Sequence, residues 1–199
     1  MMRSRTGAQL SSLPLILALV LPGCADGQEA EPEAAAAAVP EAAPALDDAT
    51  IAHVAVSANA IDADMGELAL EKSRDARVRS FAETMIRDHR GVNEQAVALA
   101  TRLGVTPADN DVSRSLVADA EAARARLARL SGAEFDRAYL EREVAYHQAV
   151  LDALDTTLIP NTTNDELRAL LTTARGAVAA HLGHAEALGA ELAGSAGGQ

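Results

Sequence analysis

Along four long stretches of this chain, apolar residues recur at alternating intervals of three and four, the spacing that lines one face of an α-helix. Residues 78–103 give Val78, Ala82, Met85, His89, Val92, Ala96, Leu99 and Leu103. Further on, Leu140, Val144, His147, Leu151, Leu154 and Leu158 make a second stripe, and Leu171, Ala174, Val178, His181, Ala185, Leu188 and Leu192 a third. An earlier stretch offers Ala55, Ala58, Asp62, Met65 and Ala69. Each stripe carries one polar side chain near its middle, three times a histidine and once an aspartate.

Breakers and caps divide the pattern into five predicted helices. The first runs from about Ala49 to Lys72, with Asp47 or Asp48 as cap, and the second opens at Ser73 or Asp75 and stops at Gly104. A third, from about Val112 to Leu130, is shorter and more polar. Ser131 with Glu134, and Thr163 with Glu166, have the spacing of capping boxes ahead of the last two, which Pro160 separates; Gly194 closes the fifth. Short joints make the first and second helices one antiparallel hairpin and the fourth and fifth another. With the third as the connection, the order predicts an all-α, ferritin-like four-helix bundle with an additional shorter connecting helix; a plain up-down bundle is the competing arrangement.

Composition agrees with helices packed closely on small residues: 49% of the 199 residues are hydrophobic, yet there are only two Phe, two Tyr and no Trp. A formal net charge of −12 excludes a nucleic-acid role, and so few aromatics leave no stacking platform for single strands.

Residues 1–23 read as an export signal, with Arg3 and Arg5 ahead of the apolar run "LPLILALVL". That run is too short for an ordinary spanning helix. Cys24, the single cysteine, excludes an internal disulfide, and "LPGC" resembles a bacterial lipobox in which this cysteine becomes the lipidated N-terminus. Ala25 follows it, so the Asp that signals inner-membrane retention is missing. These features predict an outer-membrane lipoprotein facing the periplasm, held in the membrane through a lipid anchor at Cys24; a soluble periplasmic protein is the alternative. Residues 24–47, rich in Ala, Glu and Pro, form the expected tether, residues 48–194 the bundle domain and residues 195–199 a disordered tail.

Four helices that share a core and each bring one metal-ligating side chain to it supply the walls of a common site. Counting from the predicted helix ends puts Asp62 and His89 within a turn of each other. His147 and His181 come out about 9 Å apart in height, too far to pair, and Glu143, one turn below His147, levels better with His181. The candidate ligands are therefore Asp62, His89, Glu143, His147 and His181. Imidazole with carboxylate suits iron, zinc, manganese or copper, the softer alternatives being Met65 and Met85. Carboxylate-bridged di-iron centres need Glu-x-x-His on two helices, and Ile86 and Val178 stand where those glutamates belong. Glu67 belongs to a helix flank, Asp88 points away from its neighbour His89 toward a surface pair or an outer contact, and His53 and His184 fall off the stripes toward solvent. No nucleophilic triad and no phosphate loop is present.

The runs "DADMGELALEKS", "VRSFAETMIRDHRGVNEQAVALA", "FDRAYLEREVAYHQAVL" and "AHLGHAEAL" resemble bacterial exported proteins grouped as domain-of-unknown-function family 4142. The likeness covers residues 48–192 and implies a ferritin-like helical fold. This chain departs from the family's pattern at Asp62, where a Glu is general, and in lacking Leu-Pro shortly before His181. No activity comes with the resemblance. Two functions stand open: a lipid-anchored envelope module that is non-enzymatic, serving interaction with an envelope protein partner or a response to stress, and a periplasmic metal-binding or redox protein using the core histidines and acids.

Overall fold

The computed structural model describes residues 46–196, and all the regular structure among them is helical. The signal, Cys24, most of the tether and residues 197–199 lie outside the described residues. Helix α1 (Asp48–Lys72) starts where Asp47 accepts the Thr50 N–H at 2.8 Å. Asp75 does the same for Arg77 at the start of α2 (Ala76–Leu103), which ends on Gly104 in the left-handed conformation at φ 65°. Helix α3 (Asp111–Leu127) opens on a reciprocal box between Asn110 and Ser113. Then come α4 (Gly132–Ala153) and α5 (Asp165–Ala196).

Two expected caps are corrected. The backbone enters α4 through Gly132 at φ 57°, and the Ser131 hydroxyl makes no capping bond. The Thr163 hydroxyl is taken by the Asp48 carboxylate, so Asn164 caps α5, its Oδ1 accepting the N–H groups of Glu166 and Leu167, each at 3.0 Å. Helix α5 also runs two residues beyond Gly194. That glycine keeps a negative φ and so cannot form the left-handed stop expected of it.

The end of α4 decides the level of the site. Pro160 has no N–H to give the Thr156 carbonyl, and its ring crowds that oxygen. The helix responds by widening into a π-turn, Leu154–Leu158, in which the Ile159 N–H reaches the Leu154 carbonyl, and a last turn follows at Ile159–Asn161. The rod therefore reaches Asn161, three residues beyond the last stripe residue, Leu158. His147 lies fourteen residues before Asn161 and His181 sixteen after Asp165, a difference in rise of about 3 Å. The expected 9 Å offset is thus corrected.

Two apolar clusters fix the helix directions. One takes Met65, Leu68 and Ala69 from the end of α1, Val78, Phe81 and Met85 from the start of α2, Phe135 and Tyr139 from the start of α4, and Leu188 from late α5. The other takes Ile51 and Val54 from the start of α1, Leu99 from late α2, Leu154 and Leu158 from the end of the α4 rod, and Leu167, Leu171 and Val178 from the start of α5. Helices α2 and α4 consequently run the same way, antiparallel to α1 and α5. Helix α3 returns the chain along α1: Ala108 N–H donates to the Ala49 carbonyl near one end, and Lys72 Nζ to the Ala128 carbonyl at the other. This crossover is the arrangement of ferritin-like bundles, and it excludes the plain up-down alternative. Gly66 lets α1 and α2 approach closely beside the site, since a Cβ there would lie 2.8 Å from Ile86 Cγ1 and 3.0 Å from the Ala82 carbonyl oxygen.

Candidate metal centre

Between the two apolar clusters lies one polar layer. Asp62, His89, His147 and His181, the four side chains singled out by the stripes, and Glu143, chosen for its height, are all buried there, Asp62 and Glu143 completely. The imidazole ring centroids of His89, His147 and His181 stand 5.1–5.7 Å apart. Asp62 Oδ2 is 2.7 Å from His89 Nε2 and 3.3 Å from His147 Nε2. Each of two overlapping triads, His89–His147–His181 and Asp62–Glu143–His147, brings its ligand atoms within 4.8 Å of one another.

The hydrogen bonds around the layer dictate which nitrogen of each ring carries its proton. His89 Nδ1 lies 2.7 Å from Asn59 Oδ1, and Asn59 Nδ2 already donates to the Ala55 carbonyl; only the amide oxygen is left to face the ring, so Nδ1 is the donor. His147 Nδ1 meets the Glu143 backbone carbonyl at 2.9 Å, which can only accept. His181 Nε2 meets the Asp88 carboxylate at 3.0 Å, again an acceptor. Every neutral ring thus keeps its lone pair on the other nitrogen. Of those nitrogens, His147 Nε2 and His181 Nδ1 are buried without a hydrogen-bond partner, as is Glu143 Oε2, while His89 Nε2 and Asp62 Oδ2 have only each other, 2.7 Å apart. Unpartnered atoms on facing helices each carry the desolvation cost of an unmade bond, unless something between them accepts their electron pairs.

Charge is distributed unevenly across the layer. Burial works to raise the Asp62 carboxyl, but the close contact with His89 and, further down in size, the permanent charge of Arg142 outweigh it and hold Asp62 well below the usual carboxylate range. Glu143 goes the other way, pushed up by burial and by the negative charge of Asp62. Burial lowers the imidazoles of His147 and His181, favouring the neutral, ligating form. Asp88 stays ionised because the hydrogen bonds from His181 and Arg87 outweigh its desolvation.

Three contributors were not apparent in the stripes. Arg142 reaches into the layer, with Nη1 2.7 Å from both Asp62 Oδ1 and Glu143 Oε1, and its guanidinium lies over the Tyr146 ring at 4.1 Å. The Tyr146 hydroxyl in turn donates to the Ala58 carbonyl at 2.9 Å. Asn59 is the third. Asn59 is three before Asp62 and Tyr146 adjoins His147, so their places along the helices could have marked them, whereas nothing in its spacing turns Arg142 inward. Asp88, expected in a surface pair or an outer contact, makes both: one oxygen accepts from Arg87 and the other crosses to α5 and fixes His181. Of the remaining candidates, Glu67 is exposed and paired with Arg90, His53 is half-buried 3.6 Å from Asp109, and His184 is exposed with its ring edge-on to Phe81. Met65 and Met85 belong to the aromatic apolar cluster.

The donor set fits a transition-metal ion. Ligands held about 2.0–2.2 Å from a tetrahedral or octahedral ion stand about 2.8–3.6 Å from one another, and the Asp62–His147 separation of 3.3 Å is already in that range. Imidazoles whose second nitrogen is anchored by a carboxylate, amide or backbone oxygen are the usual form of metal-ligating histidine.

The chain belongs to the DUF4142 family. The model of that family, described as a domain of unknown function, matches residues 31–188, which include every residue of the layer. No curated protein and no solved structure matches the chain. Membership of DUF4142 therefore accounts for the fold's sequence pattern and assigns no chemistry, which the layer itself must supply.

Proposed function

We propose that this protein binds a transition-metal ion of the iron, zinc, manganese or copper group in the core of its bundle, through His89, His147 and His181 with Asp62 and Glu143. One observation carries the reading. The inward atoms of all five side chains are buried and close together, none with a hydrogen-bond partner outside the cluster, while the outward nitrogen of each ring is pinned by an acceptor. Histidines serving only as hydrogen-bonded core groups would have both nitrogens satisfied. The bound ion would supply Lewis acidity or a redox couple; the chain's own part is to present three imidazole nitrogens and an ionised Asp62 in a site the apolar clusters shield from bulk water.

Purification of the full chain, reconstitution with each metal in turn and elemental analysis after gel filtration test this. Near-stoichiometric retention of at least one metal is expected, falling in His89→Ala, His147→Ala and His181→Ala. Retention below about a tenth of an equivalent for all four would overturn the proposal. Asp88→Asn, which touches only the far side of His181, should weaken affinity about 10–100-fold.

The same proposal places the protein outside the cytoplasm, anchored by lipid on Cys24 and facing the periplasm from the outer membrane. "LPGC" and the Ala/Glu/Pro-rich stretch after it support this placement. Among the described residues no helix is long and apolar enough to cross a membrane. A Cys24→Ser chain should leave the membrane fraction; if it still partitions there fully, the anchor is wrong.

A further inference from the structure

The two triads that share His147 raise the question of how many ions the layer holds. If both filled, one ion would sit among the three histidines and a second between Asp62 and Glu143. That second place already contains a cation. Arg142 Nη1 lies 2.7 Å from Asp62 Oδ1 and 2.7 Å from Glu143 Oε1, bridging the two carboxylates as a metal ion bridges paired acids.

We infer that Arg142 is a built-in substitute for a second metal ion, so that the centre is mononuclear. The inference rests on the metal-binding reading above and adds its nuclearity. Three features make the substitution permanent. The guanidinium cannot be deprotonated in a protein, so no accessible pH empties the position. Its plane is packed on the Tyr146 ring, and Tyr146 is itself tied to the Ala58 carbonyl, so the side chain is held rather than free to swing out. The carboxylate oxygens it uses, Asp62 Oδ1 and Glu143 Oε1, are the ones not left over; Asp62 Oδ2 and Glu143 Oε2 remain for the single ion. A dication entering the bridging position would have to displace the guanidinium or sit beside its positive charge in a buried, weakly screening interior. Arg142 is therefore a specificity-determining residue, restricting the site to chemistry available at one metal.

Cobalt(II) is the probe, because its count is read by elemental analysis and native mass spectrometry and a pair of bridged ions shows magnetic coupling. The full chain with excess Co2+ should retain one ion, uncoupled. Arg142→Met, which keeps much of the side chain's bulk but no charge, should bind a second ion at least tenfold more tightly than the unaltered chain does and show coupling. Arg142→Lys keeps the charge and should stay at one, which leaves the inference open to refutation even if the Met variant does not fold. Two coupled ions in the unaltered chain, or in Arg142→Lys, would overturn the inference while leaving metal binding intact. One ion and no coupling in a folded Arg142→Met would also overturn it. No cobalt, iron, zinc, manganese or copper retained by the unaltered chain would remove both claims.

Discussion

The bundle interior on one side of the polar layer is built from different material than the interior on the other. Toward the α1–α2 joint, Phe81, Phe135 and Tyr139 interlock, with Phe81 edge-on to Tyr139 at 6.1 Å and Phe135 stacked on it at 6.0 Å, each fully buried. Three of the chain's four aromatic residues are spent there. Toward the α4–α5 joint the core is aliphatic, and Leu154, Leu158, Leu171 and Val178 together with alanines of α1 and α2 leave a cavity of about 50 Å³ that reaches His89 and His147. Flat rings bring more apolar volume per position than alanine or branched aliphatic residues do. The aromatic side thus clamps the layer, and the aliphatic side, which also contains the π-turn, gives it room.

The largest effect that would test this contrast comes from truncating the clamp. Phe81→Ala should cost about 3–5 kcal/mol of unfolding free energy, and Leu171→Ala, which borders the existing cavity and has fewer partners to lose, about 2 kcal/mol. Urea unfolding followed by circular dichroism measures both. Equal losses would mean the two sides are packed alike. A smaller effect of opposite sign is expected from Ala96→Leu, which adds apolar atoms at the cavity wall: a gain of about 1 kcal/mol by the same measurement. A loss there would show the space to be filled already. The smallest effect concerns Tyr139, whose buried hydroxyl has no partner. Tyr139→Phe should be neutral or stabilising by up to about 1 kcal/mol, since it removes a polar group the core has not satisfied. Destabilisation beyond that would reveal a hydrogen bond from the clamp into the polar layer.

How much of the site was legible depends on what kind of interaction placed each group. Asp62, His89, His147 and His181 could be picked out because a polar residue on an apolar stripe breaks a strict period, and all four lie in the layer. Glu143 came from a mistaken height, since the last stripe residue, Leu158, looked like the end of α4; the rod reaches Asn161, and His147 itself is level with His181. Yet Glu143 is fully buried beside them, being one turn from His147 on the same rod. The capping boxes failed for a different reason. Thr163 had the right spacing for a cap, but Asp48, over a hundred residues away in the chain, took its hydroxyl. Arg142 escaped notice because an arginine next to a glutamate on a helix reads as surface charge. Only the packing of α4 against α1 turns it inward onto Asp62.

The sequence by itself determined the five helices, their antiparallel pairing into two hairpins and the presence of one polar side chain in the middle of each long rod. Those features are local, set by helical periodicity, turn residues and the cost of exposing apolar faces, and a chain carries them before it folds. The tertiary structure alone decided the depth at which the rods stop against one another, the proton position on each imidazole and the arginine lodged between two acids. These depend on contacts between residues far apart in the chain, where a shift of one helical turn or one borrowed hydrogen bond changes which atoms meet.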